Sequence, residues 1–266
     1  MKWYQKVLMS VSGLIVMSSL SYAEHIWVGL YAKGTKMTAQ SLVSREYLGD
    51  MGDAIETEWE KGFFLVDLAQ GRRTWMGIFA KGTGYTAQSY LHSSNWKKFA
   101  KGVEKKKAQG FDLIDLEYGD AEWVGIFAKG TGYTDQIYVA DREWKTFRQT
   151  IKSYWKKGYA LTEMEAGGGQ WVGVFAKNTG YKDQSYVSLD DWSAMRKVIR
   201  DRWDDGYQVT KLDYGEGRWF ALFDKNIRWS EEAYSSTYGW ERFRLTLKKY
   251  WKKDFDIIGI ASGWND

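Results

Sequence analysis

Tryptophan returns in this chain at one fixed interval. Trp27, Trp75, Trp123, Trp171 and Trp219 stand 48 residues apart, and Trp27 to Asp266 spans 240 residues, five periods with no remainder. A constant period of roughly 20–50 residues marks a repeat architecture in which each copy is one supersecondary unit. The copies are 27–74, 75–122, 123–170, 171–218 and 219–266. Other columns keep the same register. Lys33, Lys81, Lys129, Lys177 and Lys225 form one; Gln40, Gln88, Gln136 and Gln184 form another, with Glu232 in the last copy; Gly62, Gly110, Gly158 and Gly206 form a third, ending in Asp254.

Hydrophobic patterning changes three times within a copy. Trp123 to Lys129 is a short β-branched and aromatic run closed by Gly130-Thr131-Gly132, which predicts a strand and a turn. Gln136 to Val139 predicts a second strand returning from that turn. Trp144, Phe147, Ile151 and Trp155 then recur with the spacing of an amphipathic helix, as do Trp192, Met195, Ile199, Trp203 and Trp240, Phe243, Leu247, Trp251. Asp141 and Asp190 lie where N-caps are expected, and Lys156-Lys157-Gly158 supplies cations and a glycine at the helix end. Phe111 to Tyr118 predicts a third strand, turned by Gly119-Asp120 into the next copy.

The unit is therefore β-β-α-β. Strand three of one copy and strands one and two of the next are expected to form an antiparallel meander. A lone unit cannot bury its apolar face, and an open stack needs polar caps at both ends, for which the repeats leave no segment. The expected fold class is accordingly an α/β repeat of five 48-residue units closed into a propeller-like ring, with Phe255 to Ser262 pairing with His25 to Ala32.

Residues 1–23 read as a secretory signal peptide: Lys2 and Lys6, an apolar stretch from Val7 to Leu20, then Ser21-Tyr22-Ala23. Residues 24–266 form the expected single five-repeat domain, exported to the periplasm or secreted, with no transmembrane segment after cleavage. Without the leader's two lysines, 36 basic and 34 acidic residues leave a net charge of +2. That balance gives no electrostatic footprint for nucleic acid. The absence of cysteine removes thiol nucleophiles and cysteine-bearing metal sites, and only His25 and His92 carry imidazoles. No cofactor or metal site is expected, and no catalytic residues are assigned. The Ser-x-x-Lys matches at Ser94 and Ser153 fall on the repeating helix without supporting motifs.

Thirteen of the sixteen tryptophans occupy three register columns, which points to packing. The lysine column supports the turn from outside or, alternatively, faces the ring axis as an anion site. Tyr85, Tyr133 and Tyr181 replace one another near the turn, with Met37 and Trp229 in the outer copies; such a row of aromatics beside glutamine and lysine either holds a glycan or an extended peptide or seals the seam between units. Copies one and five, neighbours across the expected seam, depart most from the pattern; the departure is either an adaptation to closure or a partner site around Arg228, Trp229, Glu231 and Glu232.

The segments Trp171-Val-Gly-Val-Phe-Ala-Lys177, Thr179-Gly-Tyr181, Asp183-Gln184 and Trp203-x-x-Gly206-Tyr207 resemble an uncharacterised repeat domain. That domain lies at the C-terminus of plant casein-kinase-like protein kinases and, more loosely, in the propeller-like N-terminal domain of fungal polyglycine hydrolases. The resemblance implies a non-catalytic module, because those proteins carry catalysis in a separate domain. The β-β-α-β order is also similar to the α/β-propeller of guanidine-modifying enzymes, whose catalytic cysteine is missing here. The expected function is recognition of a surface protein or polysaccharide. The alternative is a secreted glycan or peptide hydrolase with a carboxylate-based site, which needs two nearby carboxylates of perturbed acidity in a concave pocket.

Overall fold

The computed structural model describes residues 24–227 and 229–265. The leader assigned to residues 1–23 and the candidate site residue Arg228 lie outside them. The first copy contributes β1 (Glu24–Lys33), β2 (Ala39–Arg45), α1 (Leu48–Glu60) and β3 (Phe64–Gly71); the second, β4 (Thr74–Lys81), β5 (Ala87–Ser93), α2 (Trp96–Ala108) and β6 (Asp112–Gly119). The third contributes β7 (Glu122–Lys129), β8 (Asp135–Asp141), α3 (Trp144–Lys156) and β9 (Ala160–Gly167). The fourth and fifth follow as β10 (Gln170–Lys177), β11 (Gln184–Leu189), α4 (Trp192–Asp204), β12 (Gln208–Gly215) and β13 (Arg218–Asp224), β14 (Glu231–Tyr238), α5 (Trp240–Trp251), β15 (Asp256–Asn265).

The strands form three-stranded antiparallel sheets ordered β2-β4-β3, β5-β7-β6, β8-β10-β9, β11-β13-β12 and β14-β1-β15. The sheets differ from the expected meander. Strand one does not pair with strand two of its own copy; it lies between strands two and three of the preceding copy. The Gly-Thr-Gly turn carries the chain across to the next sheet instead of folding it back, and Thr86 N–H donates to Lys129 C=O at 2.9 Å in that crossing. Closure follows the same rule: β1 pairs with β15 from Glu24↔Asn265 to Ala32↔Asp256, and with β14 on its other edge. Strands β3, β6, β9, β12 and β15 touch one another in a closed cycle, so the third strands surround the axis.

Each helix covers its own sheet and is buried against the next. Phe99 and Val103 of α2 pack on Leu113, Trp123 and Phe127, and the same cluster takes in Val172 and Val174 from the neighbouring sheet. The alternation of strand one is thus divided between blades: Trp and Phe face their own helix, while Val and Ile face the preceding one. Helix entry needs correction. Asp191, not Asp190, caps α4 by accepting from Ser193 N–H at 2.6 Å, and α3 begins after Glu143 with no side-chain cap. Asp141 instead accepts from the Thr150 hydroxyl at 2.9 Å. The helix ends follow expectation: Gly158 sits at φ 77°, and Tyr159 N–H closes the turn onto Tyr154 C=O at 3.1 Å.

A glycine at or near the end of each third strand is crowded by the neighbouring blade. A Cβ on Gly215 would lie 2.3 Å from the Ala166 carbonyl oxygen, and one on Gly71 would lie 1.8 Å from Ser262 Oγ across the closure. Backbone cannot yield as a side-chain tip can, so Gly215→Ala is expected to cost ~1–3 kcal/mol or more by overpacking. A urea midpoint lowered accordingly, against a Gly49→Ala control in α1, where the added Cβ meets nothing within 4 Å and the backbone is helical, checks the geometry.

Candidate functional site

The ring axis holds two layers of charge. In the first, Lys211 Nζ lies 2.8 Å from Asp115 Oδ1, 2.8 Å from Glu163 Oε2 and 3.3 Å from Asp67 Oδ1. These four occupy one register column, one from each of β3, β6, β9 and β12, with Gly259 in the fifth place. Asp115 Oδ2 also accepts from Leu68 N–H at 2.8 Å, and Asp67 Oδ2 from Ile260 N–H at 2.7 Å, so the layer ties neighbouring third strands together. Burial pushes the Asp67 carboxyl up to about 7 against the pull of Lys211, and raises Glu163 well above the usual carboxylate range. Burial also opposes charge on Lys211, but Asp115, Glu163 and Asp67 outweigh it and hold the ammonium well above its ordinary pKa.

Two residues further along the same strands come Glu117, Glu165 and Asp213, with Ala69 and Ala261 completing the column. All three acids are buried, and one ligand oxygen from each lies within 4.8 Å of the others. Burial raises all three pKa values, and mutual repulsion adds to it for Glu117 and Glu165. Sequence reasoning missed both layers. The signal was present: charged residues interrupt the apolar third strands at an interval of 48.

At the turn end of the axis lies an open depression of about 410 Å³, lined by Tyr85, Tyr181, Trp229, Met37, Lys36, three threonines (Thr35, Thr83, Thr210) and the third-strand residues Val66 and Ile258. Tyr181, Trp229 and Lys36 also line an adjoining depression of about 630 Å³ with Asn226 and Ile227. Burial raises the Tyr85 phenol to about 12 and Tyr133 and Tyr181 well above the ordinary value, and Tyr133 further feels Tyr181 and Tyr85. Of the aromatic column, Tyr85, Tyr181 and Trp229 thus share one mouth with Met37, while Tyr133 lies near enough to feel Tyr181 and Tyr85 but is not among the lining residues.

The other candidate residues go elsewhere. The ammonium groups of Lys33, Lys81, Lys129, Lys177 and Lys225 lie 4.4–4.6 Å over the rings of Phe255, Phe63, Phe111, Tyr159 and Tyr207, the aromatic residues that lead into the third strands. They line neither the axis nor the mouth; each ring's negative face holds its cation locally. Glu231 pairs with Lys33 at 2.8 Å.

The glutamine column clamps blade to blade. Gln184 Oε1 accepts from Leu161 N–H at 2.8 Å and from Trp155 Nε1 at 3.0 Å, and its Nε2 donates to Leu161 C=O at 2.9 Å. This satisfies a β9 residue beside the register shift in its pairing with β10, where the ladder leaves polar groups over. Gln40, Gln88 and Gln136 hold Ile257, Leu65 and Leu113 in the same way. Glu232 takes the place of glutamine against Val209 and Trp203, and burial pushes its carboxyl up to about 8.

A comparison with curated proteins found no match. The family comparison did, over residues 4–167 and again over 126–265, in keeping with the internal repeats. With those two matches together covering nearly all of it, the chain belongs to the family described as a domain of unknown function, DUF7477.

Proposed function

We propose that this protein is an exported, non-catalytic module that binds a polysaccharide of the cell surface or envelope, acting in the periplasm or after secretion. The observation that carries this reading is the mouth itself. Tyr85, Tyr181 and Trp229 gather with Thr35, Thr83 and Thr210 in one depression. Aromatic faces stack on the apolar side of a sugar ring, and hydroxyls exchange hydrogen bonds with its rim. Among the described residues, no carboxylate lines the depression; the axial acids are enclosed between third strands, which favours binding over acid–base hydrolysis.

Screening the full chain against a glycan array and envelope polysaccharides tests the reading. Trp229→Ala is expected to weaken the best glycan about tenfold, since stacking contributes ~0.5–1.5 kcal/mol beyond buried area. Thermal melting should be unchanged, because Trp229 stands outside the five core clusters. Absence of any glycan ligand, or binding indifferent to Trp229→Ala and Tyr181→Ala together, would overturn it; a protein captured through the same residues would replace the polysaccharide.

A further inference from the structure

We propose that Glu117, Glu165 and Asp213 form a divalent-cation site on the ring axis, suited to calcium or another hard, oxygen-preferring ion. Each carboxyl is held in place by one oxygen. Glu117 Oε1 accepts from Gln70 N–H at 2.8 Å, Glu165 Oε1 from Ala166 N–H at 2.8 Å, and Asp213 Oδ1 from Tyr214 N–H at 2.7 Å. The second oxygens of Glu165 and Asp213 are buried and receive no N–H or O–H from any other residue, in side chains only 3% and 9% exposed, so they are satisfied either by a proton held between the two or by an outside ligand. Such groups are rare in folded proteins and ask for a missing partner.

The adjacent layer shows how the fold meets the same demand when the column supplies a cation. There Lys211 is surrounded by Asp67, Asp115 and Glu163, and its close contacts are taken up by those three. In the second layer the remaining register places are Ala69 and Ala261, too small to reach in and too apolar to neutralise anything. Ligand oxygens within 4.8 Å of one another need at most a small inward movement to share one central ion at the 2.3–2.6 Å typical of calcium. The all-oxygen donor set favours calcium, magnesium or manganese over softer ions. The simplest competitor is a proton shared between Glu165 and Asp213, which lie within hydrogen-bonding reach of each other.

The two occupants are separable by experiment. The whole protein is unfolded in urea with EDTA, exchanged into metal-free buffer, and refolded with CaCl2, MgCl2, MnCl2 or none, so that slow entry to a buried site cannot hide binding. Equilibrium dialysis should find one ion per chain, and the urea midpoint should rise with calcium. Glu165→Gln, and separately Glu117→Gln, should weaken that binding at least tenfold while keeping the metal-free ring folded, since each removes a buried like charge. Manganese bound to the wild type should give an electron paramagnetic signal broadened by the protein and lost in both variants. No ion retained by the refolded wild type at millimolar concentration would overturn the proposal in favour of the shared proton. Undiminished binding in both variants would overturn it by placing the ion elsewhere.

Discussion

Lys211→Met should lower the stability of the ring by ~3–5 kcal/mol, the cost of leaving buried charges without their partner. Methionine keeps the length and most of the volume of the side chain, so the loss is electrical rather than a cavity. Asp67, Asp115 and Glu163 come from three different third strands and meet at one ammonium. Without it these carboxyls either repel one another across the strand-to-strand contacts around the axis or must take up protons to avoid doing so. Changing all four residues together, with Lys211→Met, Asp67→Asn, Asp115→Asn and Glu163→Gln, should recover most of the loss. The measurement is urea unfolding followed by tryptophan fluorescence. A single variant within ~0.5 kcal/mol of wild type, the range of an ordinary surface change, would show that Lys211 is not what neutralises the axis.

Glu232→Gln is expected to do the opposite, and to do it in a pH-dependent way. Each glutamine clamp both accepts and donates at one third-strand residue, whereas ionised Glu232 offers acceptors alone and leaves Val209 C=O without the amide donor. Burial is the main cause of its rise from an ordinary 4.5 to about 8. The folded protein therefore holds a proton on Glu232 where the unfolded chain has released it. Stability from this group is fully present below pH 4.5 and is lost as pH rises to about 8. Each pH unit between those values removes about 1.4 kcal/mol at most. The glutamine variant carries no such penalty. It should match wild type near pH 4.5 and exceed it by a few kcal/mol at pH 9, measured as the difference in urea midpoints. A difference that is flat with pH would mean that Glu232 is ionised in the folded state throughout.

The fold was legible because its determinants recur. A period of 48 fixes the unit, the helix stripe fixes the buried face, and the short third-to-first hairpin fixes which strands begin each sheet. The place of strand two was not legible. Its pattern is compatible with either edge of strand one, and only the path of the Gly-Thr-Gly turn decides between the copies. The candidate site divides in the same way. Tyr85, Tyr181 and Trp229 were singled out by register and do share a depression. The axial charges were passed over because acids inside a strand look like solvent-facing positions until the third strands close on one another. Their separations in sequence, such as that from Asp67 to Lys211, become contacts only once the circle is complete. Histidine and cysteine spacing marks sites for softer metals, whereas hard cations prefer carboxylates, which carry no such signature in a sequence.

Because Glu24 lies opposite Asn265 in the closing sheet, the chain enters and leaves the ring at one spot. That spot is at the hairpin ends of the strands, while the aromatic mouth opens at their other ends. A tether joined at either side of the ring would thus hold it with the mouth directed outward. The same adjacency makes the molecule permutable. Linking Asn265 to Glu24 and opening the chain ahead of Trp75, Trp123 or Trp171 would preserve every strand pairing, so each blade can serve in turn as the seam.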